Sequence, residues 1–154
     1  MGETKVLVNN IEGTKELANK IAGQFRGGEV ICLIGNLGAG KTYFTKFLAE
    51  TLGINGEEVL SPTFVYWRRH EGRRLILNHF DFYRVENIKD FDMETIGLDD
   101  ALNDDNAVTV IEWADRIQPY LPEERLEINI RRLENEKREF NIRPVGKKYL
   151  DLKY

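Results

Sequence analysis

Residues 35–42 read Gly-Asn-Leu-Gly-Ala-Gly-Lys-Thr, a match to the phosphate-loop pattern G-x-x-x-x-G-K-[ST]. The apolar run Val-Ile-Cys-Leu-Ile at 30–34 predicts a buried strand before this loop, and residues 43–52 predict a helix after it. Glycines let the backbone approach a phosphate closely, and the N–H groups at a helix start form a positive concavity. Lys41 adds a charge for the β- and γ-phosphates, and Thr42 adds a hydroxyl for Mg²⁺. A turn that merely caps a helix needs neither side chain, so we expect a nucleotide site here.

Length and composition indicate one globular domain over residues 1–154. The net charge of −4 argues against a protein that binds nucleic acid mainly through an overall positive electrostatic field. A local basic patch is compatible with this charge. No apolar run is long enough to span a bilayer, and the first residues lack a signal segment. Cys32 is the only cysteine, which excludes an internal disulfide and a cysteine–zinc cluster and favours a core role. We therefore expect a cytoplasmic protein without a membrane partner.

Helix and strand signals alternate along the chain. A helix is predicted over residues 14–22, with Thr14 as its N-cap. The further predicted elements are a short strand or loop over 59–64, a hairpin of strands 64–69 and 73–80, a helical stretch over 88–102 broken at Gly97, a strand over 107–112, and a second hairpin of strands 126–130 and 138–142. This alternation around a phosphate loop predicts a three-layer α/β P-loop NTPase fold. Its central sheet would be mainly parallel, with antiparallel hairpins at the edges.

Two of the predicted strands lead to a carboxylate, Asp81 in one case and Glu112 in the other. Phosphate-loop enzymes place a Mg²⁺ partner, and a group that orients the attacking nucleophile, at the carboxyl ends of neighbouring strands. Either acid suits either of these tasks, so the sequence does not divide the tasks between them. His79 lies close to Asp81, but a single histidine is more typical of a packed or hydrogen-bonded side chain than of a catalyst.

Several arginines lie in or near the first predicted hairpin. Solvated charge on an exposed ribbon is the ordinary interpretation, and contact with RNA or an acidic partner is the sharper alternative. Arg84 is a candidate for an internal arginine finger, although an ion pair with a nearby acid is the commoner outcome. The hairpin residues in question are Arg68, Arg69, Arg73 and Arg74.

Taken in order, these motifs resemble the TsaE (formerly YjeE) family of small bacterial P-loop ATPases. That family acts in making threonylcarbamoyladenosine at position 37 of tRNA. The resemblance covers residues 14–130, most of the chain. It comprises G-x-L-G-A-G-K-T at 35–42, Ser-Pro-Thr-Phe at 61–64, H-x-D-x-Y-R at 79–84, Ile-Gly-Leu at 96–98 and Glu-Trp at 112–113.

The resemblance implies a site for ATP and Mg²⁺. Thr42 and Glu112 would coordinate Mg²⁺, and Asp81 would take the Walker-B-like part. Residues 61–64, with Thr63 among them, would form the first switch (the predicted switch segment), and Trp113 would lie beside the nucleotide. Lys41 and the backbone amides of the loop would hold the phosphates, through Leu37, Gly38, Ala39, Gly40, Lys41, Thr42 and Tyr43.

The resemblance also implies two protein partners. TsaD transfers the threonylcarbamoyl group to adenosine 37, TsaB is its paralogous companion, and tRNA would be reached indirectly through them. ATP hydrolysis would be weak for the chain alone, because the sequence offers no obvious arginine finger in cis, and the partners would stimulate it.

Two other functions stay open on the residues alone, and a third, a GTPase, is not supported. A small-molecule kinase is the main alternative, because small kinases also begin with a phosphate loop and the arginine-rich hairpin could imitate a lid. Against it, no helical lid segment is evident. A GTPase is not supported, because the run Asn-Ile-Lys-Asp at 87–90 has the wrong order for a guanine-reading Asn-Lys-x-Asp motif. A subunit that binds nucleotide without turnover is the second function that stays open.

Overall fold

A seven-stranded mixed sheet forms the frame of the molecule. The computed structural model describes residues 2–154, apart from the side chain of Asp90. In chain order the strands are β1 (Thr4–Val8), β2 (Val30–Ile34), β3 (Trp67–Glu71), β4 (Ile76–Asp81), β5 (Ala107–Glu112), β6 (Arg125–Arg132) and β7 (Arg138–Val145). Their order across the sheet is β1-β7-β6-β2-β5-β4-β3, which places the strand before the phosphate loop at the centre.

The centre of the sheet is parallel and both edges are antiparallel. β2 pairs in parallel with β5 on one side and with β6 on the other, and β4 continues the parallel set beside β5. At one edge β3 pairs antiparallel with β4, and at the other β7 pairs antiparallel with both β6 and β1. The structure thus confirms the predicted parallel centre and both predicted hairpins.

Helices cover both faces of the sheet, which confirms the predicted three layers. On one face lie α1 (Ile11–Ala22) and α2 (Lys41–Thr51), and on the other lie α3 (Met93–Ile96), α4 (Leu98–Leu102) and a 3-10 segment, Ala114–Tyr120. The side chains of β2 alternate between the two faces of the sheet and so pack in both layers. Ile31 and Leu33 face α1 and α2, while Val30 and Cys32 face the helices on the other side. Burial raises the pKa of the Cys32 thiol to about 12, so this thiol stays protonated as a core group. Within residues 2–154, every helix falls short of the length and apolar content that a membrane span needs.

The start of α1 differs from the sequence prediction. The helix begins at Ile11, and its N-cap is Asn10, whose side-chain oxygen accepts a hydrogen bond from the Gly13 N–H at 2.9 Å. The predicted cap at Thr14 is therefore wrong, and Thr14 lies buried inside the helix. Asparagine and threonine both cap helices well, so the local pattern alone did not distinguish them. The predicted break at Gly97 is confirmed, because this glycine has φ 84° and separates α3 from α4.

Sequence patterns did not predict β1. This edge strand has five residues, of which only Val8 is fully buried, and Leu7 keeps 62% of its surface exposed. Its place is fixed by pairing with β7, where Val6 lies opposite Phe140. A short and half-exposed strand carries little local signal, and its partner comes at the far end of the chain.

Arg74 has a structural role that separates it from the other hairpin arginines. Its guanidinium donates hydrogen bonds to the carbonyl oxygens of Phe25 at 2.6 Å, Ala22 at 2.5 Å and Thr51 at 3.4 Å. Ala22 and Thr51 end α1 and α2, where a helix leaves acceptors without intrahelical donors, and Phe25 lies three residues beyond the end of α1. Arg74 therefore joins the β3–β4 hairpin to the ends of both helices.

Replacing Arg74 with methionine is expected to destabilise the fold. The change keeps the aliphatic stem but removes the three guanidinium hydrogen bonds to these carbonyls, so we expect the free energy of unfolding to fall by about 1–2 kcal/mol. Thermal denaturation would show this as a fall in Tm of about 3–6 °C. Arg73→Met is the matched control, because no hydrogen bond of the Arg73 side chain is found among the described residues. Equal Tm values for the two variants would contradict the joining role.

Candidate functional site

The phosphate loop connects β2 to α2 in the predicted strand–loop–helix order. Gly40 caps α2 with φ 108°, a left-handed conformation that favours glycine. Among the described residues no side chain caps this helix start, and its first turn has no acidic residue, so the first N–H groups remain available to an anion. A cavity of about 620 Å³ opens above them and is lined by Lys41, Thr42 and Tyr43 among others.

Gly35 begins the loop at a point where backbone segments meet closely. A Cβ atom at this position would lie 2.5 Å from the carbonyl oxygen of Ile130 on β6. Only glycine lets the loop leave β2 against this neighbouring strand. The first glycine of the motif therefore serves the packing of the loop against β6.

Lys41 is almost completely buried, with 5% of its surface exposed. Its Nζ donates hydrogen bonds to the carbonyl oxygens of Gly35 at 2.5 Å and Asn36 at 2.9 Å. Burial lowers the pKa of Lys41, and the nearby carboxylates, first among them Glu112, oppose that shift. The result is a desolvated ammonium group at the floor of the cavity, which is the arrangement that strengthens its attraction for phosphate.

Glu112 and Asp81 meet at the same edge of the sheet, as predicted from their strand ends. They are register partners in the parallel β4–β5 pair, and both are buried. Glu112 lies on the strand next to β2, and its Oε1 lies 3.4 Å from the Thr42 hydroxyl. Ser61 donates a hydrogen bond to Glu112 Oε2 at 3.0 Å, and the Ser61 and Thr42 hydroxyls are hydrogen-bonded to each other. The structure thus brings a carboxylate and two hydroxyls together beside the phosphate loop.

Asp81 lies one strand further from the loop and holds different groups. Its carboxylate accepts hydrogen bonds from the Thr63 hydroxyl at 3.1 Å and from the Tyr83 N–H at 2.8 Å. Burial raises the pKa of Asp81, while the hydrogen bond from Tyr83 lowers it. Residues 59–62 have no regular secondary structure, which agrees with the loop that the sequence allowed there. Asp81 therefore anchors the predicted switch segment through Thr63.

Trp113 lies at the mouth of the cavity, directly after β5. It has φ 58°, a left-handed conformation that is uncommon outside glycine and that turns the chain away from the strand. Its ring centroid lies 4.3 Å from the Lys41 Nζ and 5.0 Å from the ring of Tyr83. The aromatic face therefore covers the lysine by a cation–π contact.

Most of the predicted nucleotide-contacting residues line this one cavity. Ala39 does not line it: its side chain packs in the core, and its N–H already donates to the Asn36 carbonyl at 3.1 Å. The predicted residues that line the cavity are Leu37, Gly38, Gly40, Lys41, Thr42, Tyr43, Thr63, Asp81, Glu112 and Trp113.

Two arginines that belong to no sequence motif also line the cavity. Arg132 and Arg138 end β6 and begin β7, and they lie directly opposite each other in the register of the hairpin. Arg138 Nε donates to the carbonyl oxygen of Ala39 at 3.0 Å, so it touches the phosphate loop itself. Burial lowers the pKa of Arg138, and the positive charge of Arg132 lowers it further. Opposed like charges destabilise a strand pair, and an anion between them would relieve that repulsion.

Arg84 does not form the ion pair that the sequence favoured. Among the ion pairs of the described residues, none includes Arg84. Its guanidinium instead donates to the carbonyl oxygen of Phe64 at 3.3 Å and lies over the rings of Phe64 and Tyr66. Arg84 therefore supports the predicted switch segment from outside.

The oxygen atoms at the loop fit a Mg²⁺ ion that also binds a nucleotide. Thr42 and Glu112 offer a hydroxyl and a carboxylate, and Mg²⁺ prefers such hard ligands. Among residues 2–154, no group of three or more His, Cys, Asp or Glu side chains is arranged to hold a metal alone. Because Mg²⁺ in phosphate sites takes one or two protein ligands and completes its shell with phosphate oxygens and water, the pair at the loop is sufficient.

Comparison with known proteins agrees with this geometry. The family model described as "Threonylcarbamoyl adenosine biosynthesis protein TsaE" matches residues 8–140. A Bacillus subtilis protein named tRNA threonylcarbamoyladenosine biosynthesis protein TsaE is 40% identical over 149 residues, which cover 97% of this chain and 90% of that protein. An Aquifex aeolicus protein of the same name is 41% identical over 117 residues, covering 75% of this chain and 80% of its own length.

A solved structure shares the fold over nearly the whole chain. The crystal structure of B. subtilis YdiB superposes with a TM-score of 0.77 and 34% sequence identity, covering 97% of this chain and 90% of that one. The family match spans the phosphate loop, the switch segment and both buried acids. On the sequence match and the shared fold together, this chain belongs to the TsaE family.

Proposed function

We propose that this chain binds ATP with Mg²⁺ and hydrolyses it, as an accessory subunit in the threonylcarbamoyl modification of adenosine 37 in tRNA. The observation that carries the proposal is the meeting of Lys41, Thr42, Asp81 and Glu112 in one cavity at the phosphate loop. The family membership supports the pathway, since the curated relatives are named for threonylcarbamoyladenosine biosynthesis.

The phosphates of ATP would lie over the start of α2. The buried Lys41 ammonium and the free N–H groups of the first helical turn would neutralise their charge. Thr42 and Glu112 would hold Mg²⁺, which supplies positive charge to the β- and γ-phosphate oxygens when bound. Trp113, which covers the Lys41 ammonium, would lie at the edge of the bound nucleotide.

Asp81 would serve the hydrolytic step rather than the metal. It lies one strand beyond Glu112 and holds the Thr63 hydroxyl, so it fixes the switch segment over the cavity. A carboxylate in this place can accept a hydrogen bond from an attacking water and so orient it toward the γ-phosphate. The strand order therefore favours a division of tasks in which Glu112 serves the metal and Asp81 serves the water.

The mouth of the cavity supports a site that a partner completes. Two large apolar side chains that line it are largely exposed, Phe64 to 80% and Leu37 to 68%. Exposed apolar groups that cluster beside a site are typical of protein–protein contact surfaces. We propose TsaD and TsaB as the proteins that bind here, with tRNA reached through them.

The two arginines at the cavity would contribute to ATP binding from within the chain. Replacing Arg132 and Arg138 together with glutamine is expected to raise the Kd for ATP by about 10-fold or more, because two charge-assisted contacts to phosphate are lost. Isothermal titration of each variant with ATP and Mg²⁺ measures this. Lys137→Gln is the control, since it removes one charge from the same hairpin without lining the cavity. An unchanged Kd in the double variant would exclude these arginines from the site.

Phosphate release from ATP tests the function as a whole. The purified chain would be measured with and without Mg²⁺, alone and mixed with TsaB and TsaD. We expect slow, Mg²⁺-dependent release that rises sharply in the mixture. Release that the two proteins do not change would contradict the accessory role, and the appearance of a phosphorylated small molecule would instead support the kinase alternative.

A further inference from the structure

His79 is a buried, hydrogen-bonded histidine whose partner is Glu112. It lies on β4, is fully buried, and its Nε2 is 2.6 Å from Glu112 Oε2. Leu77, His79 and Asp81 alternate along the strand and share the sheet face that carries Glu112 on β5. The histidine therefore lies behind the carboxylate, on the side away from the phosphate loop.

The two oxygens of Glu112 have different surroundings. Oε2 is held by the His79 ring at 2.6 Å and by the Ser61 hydroxyl at 3.0 Å. Within the part of the chain that the structure describes, the hydrogen bond of Oε1 is the longer one of 3.4 Å from the Thr42 hydroxyl. Because an ionised carboxylate only accepts hydrogen bonds, the Nε2 atom of His79 carries the proton between them. One oxygen is thus fixed, and the other is directed toward Thr42.

Packing alone does not account for a histidine at this position. Its second ring nitrogen, Nδ1, is buried and has no hydrogen-bond partner among the described residues. An apolar side chain of similar volume would fill the same space without burying an unpaired nitrogen, which carries an energetic cost. The contact with Glu112 is the one polar interaction of the His79 side chain in the described structure.

We infer that His79 is a positioning residue that fixes the rotamer of Glu112, so that Oε1 and the Thr42 hydroxyl form a prepared pair of Mg²⁺ ligands. The inference rests on the proposed function, since it concerns the same metal. Groups behind a metal ligand commonly set its orientation, and their loss weakens metal binding by about 10–100-fold. Without the histidine, only the Ser61 hydroxyl would hold Oε2, and the Glu112 side chain would lose more rotamer freedom when the metal binds.

Three substitutions separate positioning from packing. In His79→Gln the amide nitrogen reaches about as far along the side chain as the imidazole Nε2. In His79→Asn it reaches only to the position of Nδ1, and His79→Leu removes the donor. We expect Mn²⁺ affinity for the protein–ADP complex, measured by electron paramagnetic resonance, to fall about 10–100-fold in the Asn and Leu variants and less than about 3-fold in the Gln variant. ADP affinity measured without metal should stay the same in all of them.

The outcomes distinguish this inference from the proposed function. If the wild-type protein–ADP complex holds Mn²⁺ no better than free ADP does, the proposed Mg²⁺ site is wrong. If wild type holds the ion and the Gln and Asn variants match it, the positioning role is overturned while the site stands. An equal loss of Mn²⁺ affinity in the Gln and Asn variants would also overturn the positioning role, because the distance that the amide nitrogen reaches toward Glu112 would then make no difference. The comparison of Gln with Asn stands even where the Leu variant does not fold.

Discussion

Replacing Lys41 with methionine is expected to reduce ATP turnover by about 10²–10³-fold and to weaken ATP binding, while leaving the fold intact. The side chain is 5% exposed and its ammonium lies at the floor of the cavity, so its charge acts on phosphate with little screening by water. Nearby Glu112, Asp81 and Asp115 favour the charged form and oppose the lowering of the Lys41 pKa by burial. Methionine keeps the length of the aliphatic stem and removes only the ammonium, so the loss would report the charge, including its cation–π contact with Trp113.

Calorimetry with ATP and phosphate release in the presence of TsaB and TsaD would measure the two effects of Lys41→Met. Lys46→Met on the same helix is the matched control, because Lys46 does not line the cavity. The control should bind ATP as wild type does. Hydrolysis at the wild-type rate in Lys41→Met would remove the basis for a phosphate site at this loop.

Glu112→Gln is expected to abolish the dependence of turnover on Mg²⁺ and to reduce the rate by about 10²–10³-fold. Glutamine preserves the volume and can still accept the hydrogen bond from His79 and the one from Ser61, so the local structure should survive. What is lost is the negative charge that attracts the metal to Thr42. Nucleotide binding without metal should stay near the wild-type value, since Lys41 and the helix N-terminus are unchanged.

Titration of activity with Mg²⁺, together with thermal denaturation, separates the possible causes of a loss in Glu112→Gln. A variant with normal Tm, normal metal-free ADP binding and no response to Mg²⁺ is the expected result. A large fall in Tm with an otherwise normal Mg²⁺ response would make Glu112 a structural residue. In that case Glu112 would not bind Mg²⁺, and His79 would have no metal ligand to position.

The centre of the fold was more predictable than its edges. β2 and β5 were predicted at the residues where they occur, because strands buried on both faces read as unbroken apolar runs. The edge strand β1 has no such run, and its partner β7 lies at the other end of the chain. The α1 start was misplaced because the choice between Asn10 and Thr14 depends on how the preceding chain leaves β1.

Most functional side chains of the site could be identified from the sequence. Which of them are neighbours depends on the order of the strands in the sheet. A motif identified Lys41 and Thr42, and strand ends identified Asp81 and Glu112. The sequence could not say which acid lies nearer the loop, since that follows from β5 lying between β2 and β4. Nor could it join His79 to Glu112, because that contact depends on the register of the β4–β5 pair.

The positions of Arg132 and Arg138, on the other side of the loop, also depend on the strand order and could not be predicted from the sequence. They carry no motif, and only the insertion of β6 beside β2 brings their hairpin to the phosphate loop. Arg74 shows the opposite error, since its position in a basic cluster suggested a solvated charge while its donors hold helix ends. In each case a non-local contact decided the role of a residue that looked ordinary in its local sequence.

The position of β6 between β2 and β7 also has a consequence for the order in which the site forms during synthesis. The phosphate loop leaves the ribosome early, but the Ile130 backbone against which Gly35 packs leaves it late. Until then one edge of β2 has no partner, and the two arginines at the cavity have not yet emerged. A nascent chain that ends before residue 125 therefore exposes the motif without its supporting wall. Nucleotide affinity should arise only after residues 125–145 have emerged.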